Sequence, residues 1–106
     1  MQLTHKDVVL DFIKDKKNLI LRCRSGEPLR LNGHYLYVTY NSKSYPVVKL
    51  SVAARQKLEK LYNKSYQVKS ARIRFIVAWR NREISDTDEY AVVLPEMNLS
   101  RRPHDS

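Results

Sequence analysis

With 106 residues, 42% of them hydrophobic, the chain has the size of one domain and enough apolar content to build a core, which excludes two domains and argues against disorder. One cysteine excludes an intramolecular disulfide, and two glycines leave no Gly-rich phosphate loop of the Walker or dinucleotide type. The formal net charge is +9, which spread evenly would serve solubility and concentrated in one segment would point to an anionic partner.

The charge is unevenly placed. Met1–Tyr40 holds seven basic and four acidic residues, net +3; Asn41–Arg82 holds eleven basic residues and one acid, Glu59, net +10; Glu83–Ser106 holds two basic and six acidic residues, net −4. The middle of the chain therefore carries more than the whole net charge. The competing reading is that the acidic stretch with Glu83, Asp86, Asp88 and Glu89 folds back over the basic strand before it and cancels much of its field; the sequence leaves both open. No apolar run approaches the length of a membrane span, and no apolar signal region follows Met1, so a cytoplasmic setting without membrane contact is expected.

In chain order, Thr4 followed by Asp7 has the spacing of a helix cap with an acidic third residue. Val8, Val9, Phe12 and Ile13 share one helical face beyond it, and the spacing predicts a helix over Thr4–Lys16. Asn18–Arg24 alternates, with Leu19, Leu21 and Cys23 on one side, and predicts a half-buried strand. Ser25-Gly26-Glu27-Pro28 and Asn32-Gly33 are turn chemistry, leaving Pro28–Leu31 as a short optional strand. His34–Tyr40 is aromatic and β-branched and predicts a strand, with Tyr45–Leu50 as its antiparallel mate; Pro46 assigns that mate to a sheet edge.

Ser51 caps a second predicted helix, Val52–Asn63, whose Ala54, Leu58 and Leu61 form the inward stripe. Tyr66–Ile84 predicts a long, bulge-tolerant strand, with Ala71, Ile73, Phe75, Val77 and Trp79 on one face and arginines on the other. Glu89–Leu94 predicts a last strand ended by Pro95, pairing so that Glu89 comes near Arg80 or Arg82. The expected architecture is a single α+β domain over residues 1–96, a mainly antiparallel sheet of four to five strands with two helices on one face, in the order α-β-β-β-α-β-β. Residues 97–106 are expected to form a flexible polar tail. The expected core is Val8, Phe12, Leu19, Leu21, Leu58, Leu61, Ile73, Phe75 and Val93.

The chemistry-bearing residues do not converge on a catalytic pattern. His5, His34 and His104 have no zinc-ligand spacing with the lone Cys23, and a Cys23–His34 nucleophile pair is opposed by the apolar side on which Cys23 falls. Asp86, Asp88 and Glu89 cluster in one turn, where turn formation and solubility explain them better than a metal ion. No enzyme and no cofactor are expected.

The positive signal has three parts. Arg72, Arg74, Arg80 and Arg82 recur at even positions of the long strand, a row of forks that match phosphate oxygens. Lys57, Lys60 and Lys64 form a stripe on the second helix. Lys43 and Lys49 flank a hairpin carrying Tyr35, Tyr37, Tyr40 and Tyr45, the ingredients of a stacking platform for unpaired bases. Together they predict a non-catalytic nucleic-acid-binding domain that takes single strands rather than duplex. The competing readings are a protein-interaction module, such as an accessory subunit or small enzyme inhibitor docking on an acidic surface, and a small basic ribonuclease working without histidine.

Overall fold

The computed structural model describes residues 1–13, 16–80 and 89–101. Its elements are a 3₁₀ turn at His5–Asp7, α1 (Leu10–Ile13), α2 (Lys17–Leu21), β1 (Pro28–Asn32), β2 (Tyr35–Tyr40), β3 (Lys43–Lys49), α3 (Val52–Asn63), β4 (Tyr66–Arg80) and β5 (Glu89–Arg101). The five strands form one antiparallel sheet in the order β3-β2-β1-β4-β5, an α+β arrangement. No helix among the described residues is long and apolar enough to cross a membrane.

The hairpins follow from turn chemistry. Asn32 pairs with Tyr35 across a two-residue turn whose first residue, Gly33, has φ +61°, a position a II′ hairpin reserves for glycine. Tyr40 pairs with Lys43 across Asn41 and Ser42, both at positive φ (51° and 66°), the I′ geometry that matches strand twist. β3, with Pro46, is an edge strand as expected, and Val47 takes up a register shift between Leu36 and Tyr37.

The N-terminal segment departs from the predicted helix. Thr4 and Asp7 do close a capping box, but after one 3₁₀ turn Val8 is extended (φ −121°, ψ 149°) and bridges Leu50, while the Val9 N–H donates to Lys49 O at 2.9 Å. The end of β3 captures two β-branched residues that fit a strand better than a helix. At its other end the same segment lies along β5: Leu3 N–H donates to Pro95 O and Met97 N–H to Met1 O. In a flat five-stranded sheet, positions outside the two edges would lie about 29 Å apart at ~4.8 Å per strand. The five steps from Leu3 to Val8 span at most about 17 Å even when extended. The sheet is therefore curled, with the N-terminal segment closing the seam between β3 and β5.

The buried core comprises Leu36 and Val38 of β2, Val47 and Val48 of β3, Ile73 of β4, Val92, Val93 and Met97 of β5, and Ala54 and Leu58 from α3. Ser51 caps α3, its hydroxyl accepting from Ala54 N–H at 3.2 Å, and the helix spans the predicted residues. The predicted strand over Asn18–Arg24 is instead α2 and its exit: Ile20 and Cys23, three apart, are buried, while Leu21 is 61% exposed. Short apolar runs fit either period, and here the period of three to four prevails.

β4 and β5 carry the other corrections. The β4–β5 register shifts between Ile73 and Phe75, so the bulge adds Arg74 and turns Phe75 outward to 49% exposure, away from its predicted core place. β5 does not stop at Pro95. Pro95 lies opposite this bulge, where a missing donor costs least, and β5 continues to Arg101 by pairing with Tyr66–Arg72. Residues 97–101, expected as tail, are strand; residues 102–106 lie outside the described part.

Candidate nucleic-acid interface

Strand alternation sorts the sheet into two faces, and the convex one is polar. β1 sends Leu29 and Leu31 inward and Pro28, Arg30 and Asn32 outward. Arg30 stands opposite Tyr37 on β2, and Tyr35 stands opposite Asn32 on one side and Lys49 on the other. The convex face of β1–β3 therefore presents Arg30, Tyr37, Tyr35 and Lys49 as neighbours.

The rings form a short ladder. Tyr35 and Tyr37 have centroids 6.3 Å apart, and Phe12 of α1 packs on Tyr35 at 5.3 Å. Lys49 Nζ lies 6.0 Å from the Tyr35 centroid and Lys16 Nζ 4.8 Å from that of Phe12, so two ammonium groups attend the ladder. Both tyrosines are half-buried. Tyr37 opens onto a shallow cavity of about 280 Å³ that it shares with Arg30, Asn32 and Ser44. Among the described residues, Arg30, Lys16 and Lys49 make no ion pair.

Tyr40 and Tyr45, predicted for the same platform, face the other way. Their parity along the hairpin places them inside, where they pack together at 6.4 Å against the core. The Tyr40 hydroxyl donates to Glu27 Oε2 at 2.6 Å and stands 3.3 Å from Cys23 Sγ. Burial, followed by these two hydrogen bonds, raises its pKa far above the ordinary tyrosine value. Burial likewise raises the Cys23 thiol, partly opposed by the Tyr40 hydrogen bond and assisted by the Glu27 charge, which disfavours a thiolate nucleophile. His34 lies elsewhere, with Arg55 Nη1 3.4 Å from its Nε2, so the structure does not assemble a Cys23–His34 pair.

The arginine row is only partly available. Arg72 is exposed on the convex face, but its guanidinium binds Glu96 on β5 at 3.1 Å. Arg74 occupies the bulge and lies over the Phe75 ring at 4.7 Å. Arg80 pairs in register with Glu89, as the antiparallel reading required; the Arg80 side chain, Arg82 and the acidic turn Glu83–Asp88 lie outside the described residues.

The helix stripe loses one member, because Lys57 Nζ is held at 2.9 Å by the buried Asp7 carboxylate. Lys60 in the last turn and Lys64 at the C-cap are exposed, without ion pairs among the described residues, and suit the negative end of the helix dipole. Lys43 is exposed at the far end of the hairpin, opposite Tyr40 rather than beside Tyr35 and Tyr37.

Sequence reading missed Arg30, Lys16 and Phe12 at this face, and Lys69, which lines a second groove with Arg30. Arg30 was recoverable: Pro28–Asn32 alternates with Leu29 and Leu31 inward, which sends Arg30 out. Lys69 was not, because it lies at a register shift between Val68 and Ser70 that breaks parity. Among the described residues no group of three His, Cys, Asp or Glu side chains is placed to hold a metal ion. Comparison with protein-family models, with curated proteins and with solved structures gave no match to this chain.

Proposed function

We propose that the chain is a non-catalytic nucleic-acid-binding domain that takes single strands on the convex face of β1–β3. The observation that carries this reading is the Tyr35–Tyr37 ladder lying between Arg30 and Lys49, whose charges no described acid neutralises. A half-buried ring at a groove offers a rigid face for a base, and cations on either side suit the flanking phosphates. Duplex offers no free base face to such a ladder, so unpaired strands are the better ligand. Arg72, Arg74 and Lys57 become secondary, because each already has an internal partner. The test is a fluorescence-anisotropy titration with single- and double-stranded DNA and RNA at two salt concentrations. Tighter, salt-dependent binding of single strands is expected, and no binding at low salt to any of them refutes the reading.

A second reading, docking on an acidic protein surface, is favoured by Phe75, which is 49% exposed with Arg74 over its ring. An apolar ring beside a cation is the kind of anchor protein interfaces use. The same titration separates the two, because this reading requires no affinity for nucleic acid.

A further inference from the structure

β1 and β4 pair only at Pro28–Arg72 and Leu29–Ala71. Beyond Leu29 the two strands part: β1 continues to Asn32 with its other edge on β2, and β4 begins at Tyr66 with its other edge on β5. The cause lies in β4, where the register shift between Val68 and Ser70 bends the strand, and in Tyr62 from the last turn of α3, which lines the gap. The result is a groove of about 410 Å³ in the middle of the sheet.

Its walls are sorted by chemistry. Leu31, Val68 and the half-buried Tyr62 supply apolar surface. Gln67 supplies a side-chain amide and Ser70 a hydroxyl that accepts from Asn98 Nδ2 at 3.0 Å and keeps its own proton to donate, beside strand edges with no ladder partner across the gap. Arg30 and Lys69 are exposed on opposite sides, and among the described residues no carboxylate lines the groove. Arg30 also borders the Tyr37 cavity, so the groove and the tyrosine ladder share a residue. The volume falls within the ~300–1,000 Å³ typical of small-ligand sites.

Building on the single-strand reading above, we propose that this split in the sheet is a pocket for one unpaired nucleobase, with the adjoining phosphates held by Arg30 and Lys69. The base stacks on Tyr62 and offers its edge to Gln67, Ser70 and the open strand edges. The strand then continues over Arg30 to Tyr37. A duplex cannot use the pocket, because its base edges are already paired.

The test uses a fluorescein-labelled oligo-dT strand, a strand of the same length made of abasic sites, and the full chain. Lys69→Glu is compared with Lys6→Glu, an exposed lysine outside the groove, so both variants change the net charge equally. Wild type is expected to prefer the base-bearing strand at least about fivefold, the lower end of a stacking contribution. Lys69→Glu is expected to weaken oligo-dT binding several-fold more than Lys6→Glu. Tyr62→Ala is expected to reduce the preference over the abasic strand, leaving the share that Tyr35 and Tyr37 supply; if that variant does not fold, Gln67→Ala, exposed on β4, is expected to reduce it as well.

Equal losses for Lys69→Glu and Lys6→Glu overturn the pocket while leaving the convex-face reading standing, whereas equal affinity for the two strands overturns base stacking at the pocket and at the tyrosine ladder alike. Failure of wild type to bind any strand overturns both. Binding of a polyglutamate peptide that Lys69→Glu abolishes, without oligo-dT binding, overturns the nucleobase in favour of protein docking.

Discussion

Lys57 on α3 reaches 2.9 Å to the carboxylate of Asp7, fifty positions earlier and 1% exposed, and so ties the second half of the chain to the N-terminal segment that closes the sheet. Burial alone would raise the Asp7 pKa, but the Thr4 N–H, the Lys57 ammonium and the Thr4 hydroxyl outweigh it and hold the carboxyl below its ordinary value. A depressed folded pKa stabilises the fold above the unfolded value of about 3.9 and ceases to do so as pH falls through the folded pKa. Asp7→Asn is expected to cost about 1–3 kcal/mol at neutral pH and to flatten the acid side of the stability curve. Urea denaturation of both proteins at neutral and acid pH checks this; parallel curves would contradict it.

Tyr40 makes the opposite pH prediction. Its hydroxyl is held above the ordinary tyrosine range, so it stabilises the fold below the unfolded value of about 10, and this stability falls as pH rises toward the folded pKa. In an ultraviolet titration one tyrosine is expected to ionise only as the chain unfolds. Tyr40→Phe strands Glu27 without its 2.6 Å donor and is expected to cost about 1–2 kcal/mol while removing that delayed step. A titration in which all tyrosines ionise together before unfolding refutes the account.

Two apolar residues on β4, two positions apart, should respond very differently to truncation. Ile73 is fully buried and Phe75 is 49% exposed across the bulge. Ile73→Ala is expected to cost about 2–5 kcal/mol. Phe75→Ala is expected to cost about 1 kcal/mol or less, much of it from the stacking of Arg74 on the ring. Comparable losses at chemical denaturation would mean the parity has not flipped.

What the sequence made legible follows from this same parity. α3 was readable because a capping serine agrees with an inward stripe, of which Ala54 and Leu58 are buried and Leu61 is only half-buried, and β2–β3 because β-branched alternation is bounded by turn residues. α2 was not, since Leu19-Ile20-Leu21 fits both periods and only the packing of Ile20 and Cys23 decides. The arginine face was readable as far as Arg72, after which one extra residue at Arg74 turns Phe75 outward. Partners such as Glu96 and Asp7 lie 24 and 50 positions away, beyond any local pattern. The proposed site is therefore centred on Arg30, Tyr37 and Lys49 rather than on the arginine row.

That shift is measurable in the salt dependence of binding. If single strands bind the convex face, Arg30→Gln and Lys49→Gln should each reduce the slope of log affinity against log salt by about 0.7 for every phosphate the variant no longer neutralises. Arg72→Gln should change the slope little, because its guanidinium is committed to Glu96 at 3.1 Å and is only partly available to phosphate. Stability should stay within about 0.5 kcal/mol in all three, as for exposed charges generally. Tyr37→Ala separates stacking from charge: it is expected to cost roughly 1–3 kcal/mol of binding at every salt concentration, leaving the slope intact. A flattened slope for Arg72→Gln with none for Arg30→Gln would return the interface to the β4 arginine row and away from the tyrosine ladder.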